Sequence, residues 1–222
     1  MRLLITKLFL LMLVILLIGC SQQRENISNL NERLENFNTS GSPIMVEGDL
    51  FTGILFQEYS NGRIGLELGV KKGIPNGTFE RFFENGQLAI KGKLKDGDWD
   101  GAYKRFHENG QLESKGTYKD GKRDGLWEGY HSNGQLKEKV TFKDGEQDGL
   151  WEQYHSNGQL KTKGTFKDGK LDGSYEEYYE NGQLGHKVTY IDGKRNGFYA
   201  WYDDNGQLLA NGTYKNGEII DR

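Results

Sequence analysis

The sequence predicts an all-β protein, an elongated antiparallel sheet of seven tandem β-hairpins. Three observations carry that expectation. Asn-Gly (Asn61, Asn85, Asn109, Asn133, Asn157, Asn181, Asn205) recurs every 24 residues. A glycine keeps the same step at Gly53, Gly77, Gly101, Gly125, Gly149, Gly173 and Gly197. Between these marks stand Tyr, Trp, Phe and Thr, which favour strands, while the closely spaced glycines leave no room for helices.

Composition narrows the function classes. The 222 residues carry 29 Lys+Arg and 32 Asp+Glu, too balanced for an electrostatic nucleic-acid binder. A single cysteine excludes an internal disulfide framework and any multi-thiolate metal site. Residues 101–222 hold only 18 Leu, Ile, Val and Phe but 11 Tyr and 3 Trp, so aromatic rings replace aliphatic side chains as the packing material.

The N-terminal segment reads as an address. Arg2 and Lys7 form a positive start, and Leu8 to Ile18 is an unbroken apolar run of eleven residues. That is too short for a spanning helix and right for a signal-peptide core. The run ends in Leu17-Ile18-Gly19-Cys20, which resembles the lipobox of bacterial lipoproteins. The resemblance implies cleavage after Gly19, diacylglycerol on the Cys20 thiol, and a chain held on a cell membrane or outer membrane facing periplasm or exterior. Two or three acyl chains, at about 0.8 kcal/mol per buried CH₂, anchor a protein where one is marginal. Residues 1–19 are then a signal peptide and 20–44 a lipidated tether. In the tether, Ile27, Leu30, Leu34 and Phe37 form a helical seam that Asn38 to Pro43 breaks.

Residues 45–222 form the repeat domain, with units 53–76, 77–100, 101–124, 125–148, 149–172, 173–196 and 197–220. Within unit 125–148, Asn133-Gly134 and Asp144-Gly145 supply the turns, as Asn157-Gly158 does in the next. Leu136, Val140 and Phe142 share one parity on the second strand, and Lys137, Lys139, Thr141 and Lys143 the other. The first strand is less regular, because Trp127 and Tyr130 are three apart. Either both faces of the sheet carry aromatics, or a bulge near the turn restores one face. Two strands per unit at about 4.8 Å give about 9.6 Å per repeat, and a sheet on the order of 65 Å long held by neighbour contacts.

The word Gly-x-(Trp/Tyr)-x-x-Tyr-x-x-Asn-Gly-Gln-Leu-x-x-Lys-Gly-Thr-Tyr-Lys-Asp-Gly-Lys resembles the MORN repeat, in the bacterial 24-residue variant of YwqK-type proteins. The resemblance covers residues 53–220. It implies elongated sheets of successive hairpins, and its eukaryotic relatives are linked to membrane-associated scaffolds. Bacterial members often carry an antitoxin label. The export signal argues against that role, since an antitoxin meets its toxin in the cytoplasm.

Candidate chemistry is sparse. His107, His131 and His155 occupy one column, but column neighbours lie about 9.6 Å apart while zinc–nitrogen bonds need about 2.1 Å. Asp96 to Gly101 matches half a calcium loop, yet His107 stands where the bidentate Glu belongs. No phosphate loop, nucleophile elbow or helix-borne metal motif is present, so no catalytic residue, metal or cofactor is expected. Lys91, Lys115, Lys139, Lys163 and Lys187 run beside Glu80, Glu128, Glu152 and Glu176, which reads as a cross-strand ladder.

These readings converge on a non-enzymatic, lipid-anchored scaffold that binds a protein or an envelope component through its sheet. Tyr130, Tyr154 and Tyr178 are the first candidates for the binding surface, with Trp127 and Trp151 beside them. The equal alternative is that these rings are folding contacts. Glycan recognition and toxin neutralisation are the other functions the pattern allows.

Overall fold

A computed structural model describes residues 24–26, 43–46 and 48–221. The signal peptide, Cys20 and the helical seam from Ile27 to Phe37 lie outside the described residues. Among the described residues there is no helix, and all strands but two join one 18-stranded sheet. Strand β1 (Arg24–Asn26) runs parallel to β4 (Gly53–Glu58) at its start. The small hairpin of β2 (Met45–Val46) and β3 (Asp49–Leu50) is a separate two-stranded sheet. From β4 onward the sheet is antiparallel and follows chain order: β5 (Ile64–Lys71), β6 (Ile74–Phe82), β7 (Leu88–Lys95), β8 (Asp98–Trp99), β9 (Gly101–Phe106), β10 (Leu112–Lys119), β11 (Lys122–Tyr130) and β12 (Leu136–Lys143). It continues through β13 (Glu146–Tyr154), β14 (Leu160–Lys167), β15 (Lys170–Leu171), β16 (Gly173–Tyr178), β17 (Leu184–Ile191), β18 (Lys194–Tyr202), β19 (Leu208–Lys215) and β20 (Glu218–Asp221).

The two turn words fold differently. At Asp120-Gly121 both residues have positive φ, 47° and 77°, the two-residue turn whose twist matches its strands. At Asn133-Gly134 only Gly134 does, with φ 84°, after a turn closed by Gly134 N donating to His131 O at 2.8 Å. Asn133 Oδ1 then accepts from Gln135 N at 3.0 Å, which fixes the loop.

Turns of successive repeats are bonded to one another along both sides of the sheet. Asn109 Nδ2 donates to Ser132 O at 2.8 Å, and Asn61, Asn85, Asn157 and Asn181 donate to the equivalent carbonyl of the following repeat. On the other side Gly145 N donates to Arg123 O, and Gly121, Gly169, Gly193 and Gly217 repeat the contact. The 24-residue period is therefore built into the bonding, not only into the strand count.

Register settles the sequence's ambiguity about faces. Directly paired residues project from the same face. Trp127 pairs with Val140, whereas Tyr130 pairs with Leu136 after a bulge at Lys137. Trp127 and Tyr130 accordingly lie on opposite faces, and both faces carry aromatics. The expectation that Leu136, Val140 and Phe142 share one face is corrected here: the bulge turns Leu136 to the side of Tyr130.

One face, called the aromatic face below, holds the packing. Phe79, Trp99, Tyr103, Tyr118, Trp127 and Phe142 touch in an unbroken chain of ring contacts, with centroids 4.9–6.4 Å apart and mostly edge-on. Such pairs are each worth about 0.5–1.5 kcal/mol beyond the area they bury. At the N-terminal end the rings give way to an aliphatic cluster of Leu55, Leu68, Val70 and Leu94, closed by Phe51, Ile44 and Val46. A second cluster, Val188, Tyr199 and Tyr214, lies near the other end.

Candidate functional site

The ladder face shows how the predicted tyrosines are held. Across successive strands Lys115, Glu128, Lys139, Glu152, Lys163, Glu176 and Lys187 pair in strict alternation of charge. Lys115 Nζ lies 2.7 Å from Glu128 and Lys187 Nζ 3.2 Å from Glu176. Tyr130, Tyr154 and Tyr178 sit over this ladder, half-buried, their hydroxyls donating to Glu128, Glu152 and Glu176 at 3.2, 2.7 and 2.6 Å. Burial, with the Glu152 carboxylate beside it, pushes the Tyr154 phenol up to about 12; burial and Glu176 do the same to Tyr178. Glu128 is held below the usual carboxylate range by its bond to Lys115. Towards the N-terminal end the alternation breaks twice: Glu67 pairs with Glu80, and Lys91, Lys104 and Lys115 stand side by side on adjacent strands.

The five aromatic residues expected to form the binding surface are thus divided between two faces. Trp127 is only 6% exposed and packs against Tyr103, Tyr118 and Phe142, with the Arg123 guanidinium 4.6 Å above its ring. It is a packing residue. Trp151 is half-buried and belongs to a different environment on the same face.

That environment is a groove of about 300 Å³ lined by Trp151, Phe166, Leu171, Tyr175, Tyr190 and Trp201, with Glu177, His186 and Arg195 as its polar groups. Trp201 is 40% exposed, and its indole is stacked on the buried His186 ring, centroids 3.8 Å apart and planes 15° apart. Burial lowers the His186 pKa, so the imidazole supporting Trp201 is neutral at pH 7. The Tyr175 hydroxyl donates to Glu177, and burial together with that carboxylate raises the phenol's pKa. Arg195 donates to the Tyr190 and Tyr214 hydroxyls at 3.4 and 3.3 Å.

Trp151 is among the sequence candidates, but Trp201 and His186 escape a sequence reading that follows the columns that repeat. Trp201 stands where other units have Arg81, Arg105, Gly129, Gln153 and Glu177, and His186 where they have Ile90, Ser114, Glu138 and Thr162. The available signal was the departure from the repeat.

Comparison with known families fits this architecture. A family model described as MORN repeat variant matches residues 75–96, 99–120, 123–144, 147–168, 171–192 and 195–216, more than half of the chain. The chain belongs to the MORN repeat variant family. No curated protein matches it. The hairpin of β4 and β5 precedes the six matched MORN repeats and pairs onto them in the same way. MORN repeats point to a repeat-based binding or scaffold role.

The other sequence candidates take structural places in the MORN array. His107 Nε2 and His155 Nε2 lie 3.1 and 2.9 Å from the carbonyls of Tyr130 and Tyr178, so each donates its N–H to the next repeat. Tyr59 and Tyr179 use their hydroxyls in the same column for the same contact. Asp96 and Asp100, from the half calcium loop, accept bonds from Asn76 and from Asp120 N. Among the described residues no group of His, Cys, Asp and Glu converges as a metal cluster would.

Proposed function

We propose that this protein is a non-enzymatic scaffold of the cell envelope, anchored by lipid on Cys20, which engages an envelope component through the aromatic face of its MORN sheet. The observation that carries the binding part is the groove between Trp151 and Trp201, where the exposed Trp201 and the His186 beneath it, residue types the other repeats do not place there, join half-buried rings and charged groups. A sheet bonded at both turn columns is a rigid support, and rigid aromatic side chains give large contact area at small entropic cost. The anchoring part rests on Arg2, Lys7, the apolar run and Leu17 to Cys20. The near-balanced charge gives no support to a nucleic-acid partner.

Anchoring is tested with the full chain expressed in a bacterial host. Cys20→Ala should abolish labelling by a radioactive or clickable fatty acid and move the protein out of the membrane fraction. Unchanged labelling and fractionation would remove the anchor from the account. Binding is tested by cross-linking to envelope extract: wild type should capture a component that Trp201→Ala loses.

A further inference from the structure

We infer that the groove between Trp151 and Trp201 binds a short segment of a neutral oligosaccharide, with sugar rings stacked on the exposed indole of Trp201 and on Trp151. The inference deepens the proposed binding role and rests on it. Trp201 is a prepared platform. One of its faces is covered by His186 at 3.8 Å, so the ring is held in place and offers its exposure, 40%, to a ligand. Trp151 and Tyr175 line the same groove, 6.4 Å apart and inclined by 28°. Several aromatic rings therefore line one concavity, and flat apolar rings match the C–H faces of pyranoses.

The polar groups select against other ligands. Glu177 and Arg195 both line the groove and form no ion pair with each other. Each is instead oriented by tyrosine hydroxyls, which leaves capacity on a carboxylate with about four lone-pair sites and a guanidinium with five N–H donors. An organic cation in the groove would meet Arg195, and an anion would meet Glu177. A wholly apolar segment would desolvate both and leave them unsatisfied. A neutral ring with hydroxyls at its edge satisfies the acceptor, the donors and the aromatic faces together. The volume, about 300 Å³, is at the small end of ligand sites and suits one or two sugar units of a longer chain.

The test uses purified full-length protein in detergent, titrated with maltohexaose, cellohexaose and chitohexaose and read by tryptophan fluorescence and calorimetry. At least one hexasaccharide should bind, and Trp201→Ala and Glu177→Gln should each weaken it about tenfold or more. Tyr154→Ser, on the opposite face, should leave the affinity unchanged. Glu177→Gln changes only an exposed side chain and keeps the test valid should Trp201→Ala unfold. No binding of any of the three at millimolar concentration, or binding that survives both groove substitutions, overturns the inference. If all three sugars fail while envelope cross-linking still captures a protein that Trp201→Ala loses, the glycan assignment falls and the binding role stands.

Discussion

The indole of Trp127 lies directly on the backbone of Gly116: a Cβ added to Gly116 would come within 2.3 Å of ring atoms Cδ2 and Cε2. Gly92 is crowded in a similar way, by the ring of Trp99. Strand β11 places Gly125, Leu126 and Trp127 opposite the single residue Gly116, because the register passes from Lys115–Glu128 to Thr117–Asp124. Gly125, with φ 73°, makes that bulge possible, and the large ring drops onto the strand that has no side chain to oppose it.

Gly116→Ala should therefore destabilise the chain by about 2–4 kcal/mol, since neither the ring nor the sheet backbone can retreat. Adding Trp127→Leu should recover part of that loss by making room. Thermal unfolding of the single and double variants measures both. Equal stability of Gly116→Ala and wild type would mean that the ring does not rest on this glycine.

The lysine run in the charge ladder yields a stabilising substitution. Lys104 lies between Lys91 and Lys115, which are themselves held by Glu80 and Glu128 at 2.6 and 2.7 Å. Lys104→Glu restores the alternation and should raise stability by on the order of 0.2–1 kcal/mol at low salt, with the gain shrinking as salt is added. A salt-independent change, or a loss at low salt, would contradict a charge origin.

His186 predicts a pH dependence. Burial lowers its folded-state pKa below 6.5, against a smaller opposing pull from Glu177. The unfolded chain therefore takes up a proton near pH 6.5 before the folded chain does. The stability from burying the neutral ring is complete above pH 6.5 and declines as pH falls below it. His186→Phe should flatten the denaturation midpoint between pH 7 and pH 5 relative to wild type. A variant and wild type with parallel pH profiles would show that His186 is not the group responsible.

Much of this architecture was legible in the sequence. The 24-residue spacing of Asn133 and its copies gave the hairpin count, and the alternation of Lys139 with Glu128 and Glu152 gave the ladder. Which face each ring occupies was not legible, because one bulged residue, Lys137, reverses the parity of everything between it and the turn. The groove was hidden for a different reason. Its members come from six strands. Although Trp151 and Tyr175 share a repeat column, Trp201 and His186 are residue types that the other repeats do not place at those positions, so the three rings of Trp151, Tyr175 and Trp201 meet in one groove only after the register is known. Tyr130, Tyr154 and Tyr178 have the composition of a binding strip, yet their hydroxyls are committed to the glutamates of the ladder.

The central claim is that this chain is a linear array, each repeat held by its neighbours through paired strands and two bonded turn columns. Gly134→Val tests it at one point, because Gly134 has φ 84° and a Cβ there would stand 2.9 Å from Gln111 Oε1. Strain of about 1–3 kcal/mol should be deposited in the unit 125–148. Native-state hydrogen exchange of this variant should show faster exchange in β11, β12 and the strands beside them, while amides of β5 and β19 keep wild-type protection. A uniform loss of protection across all the strands would contradict the account and mark the sheet as one cooperative unit.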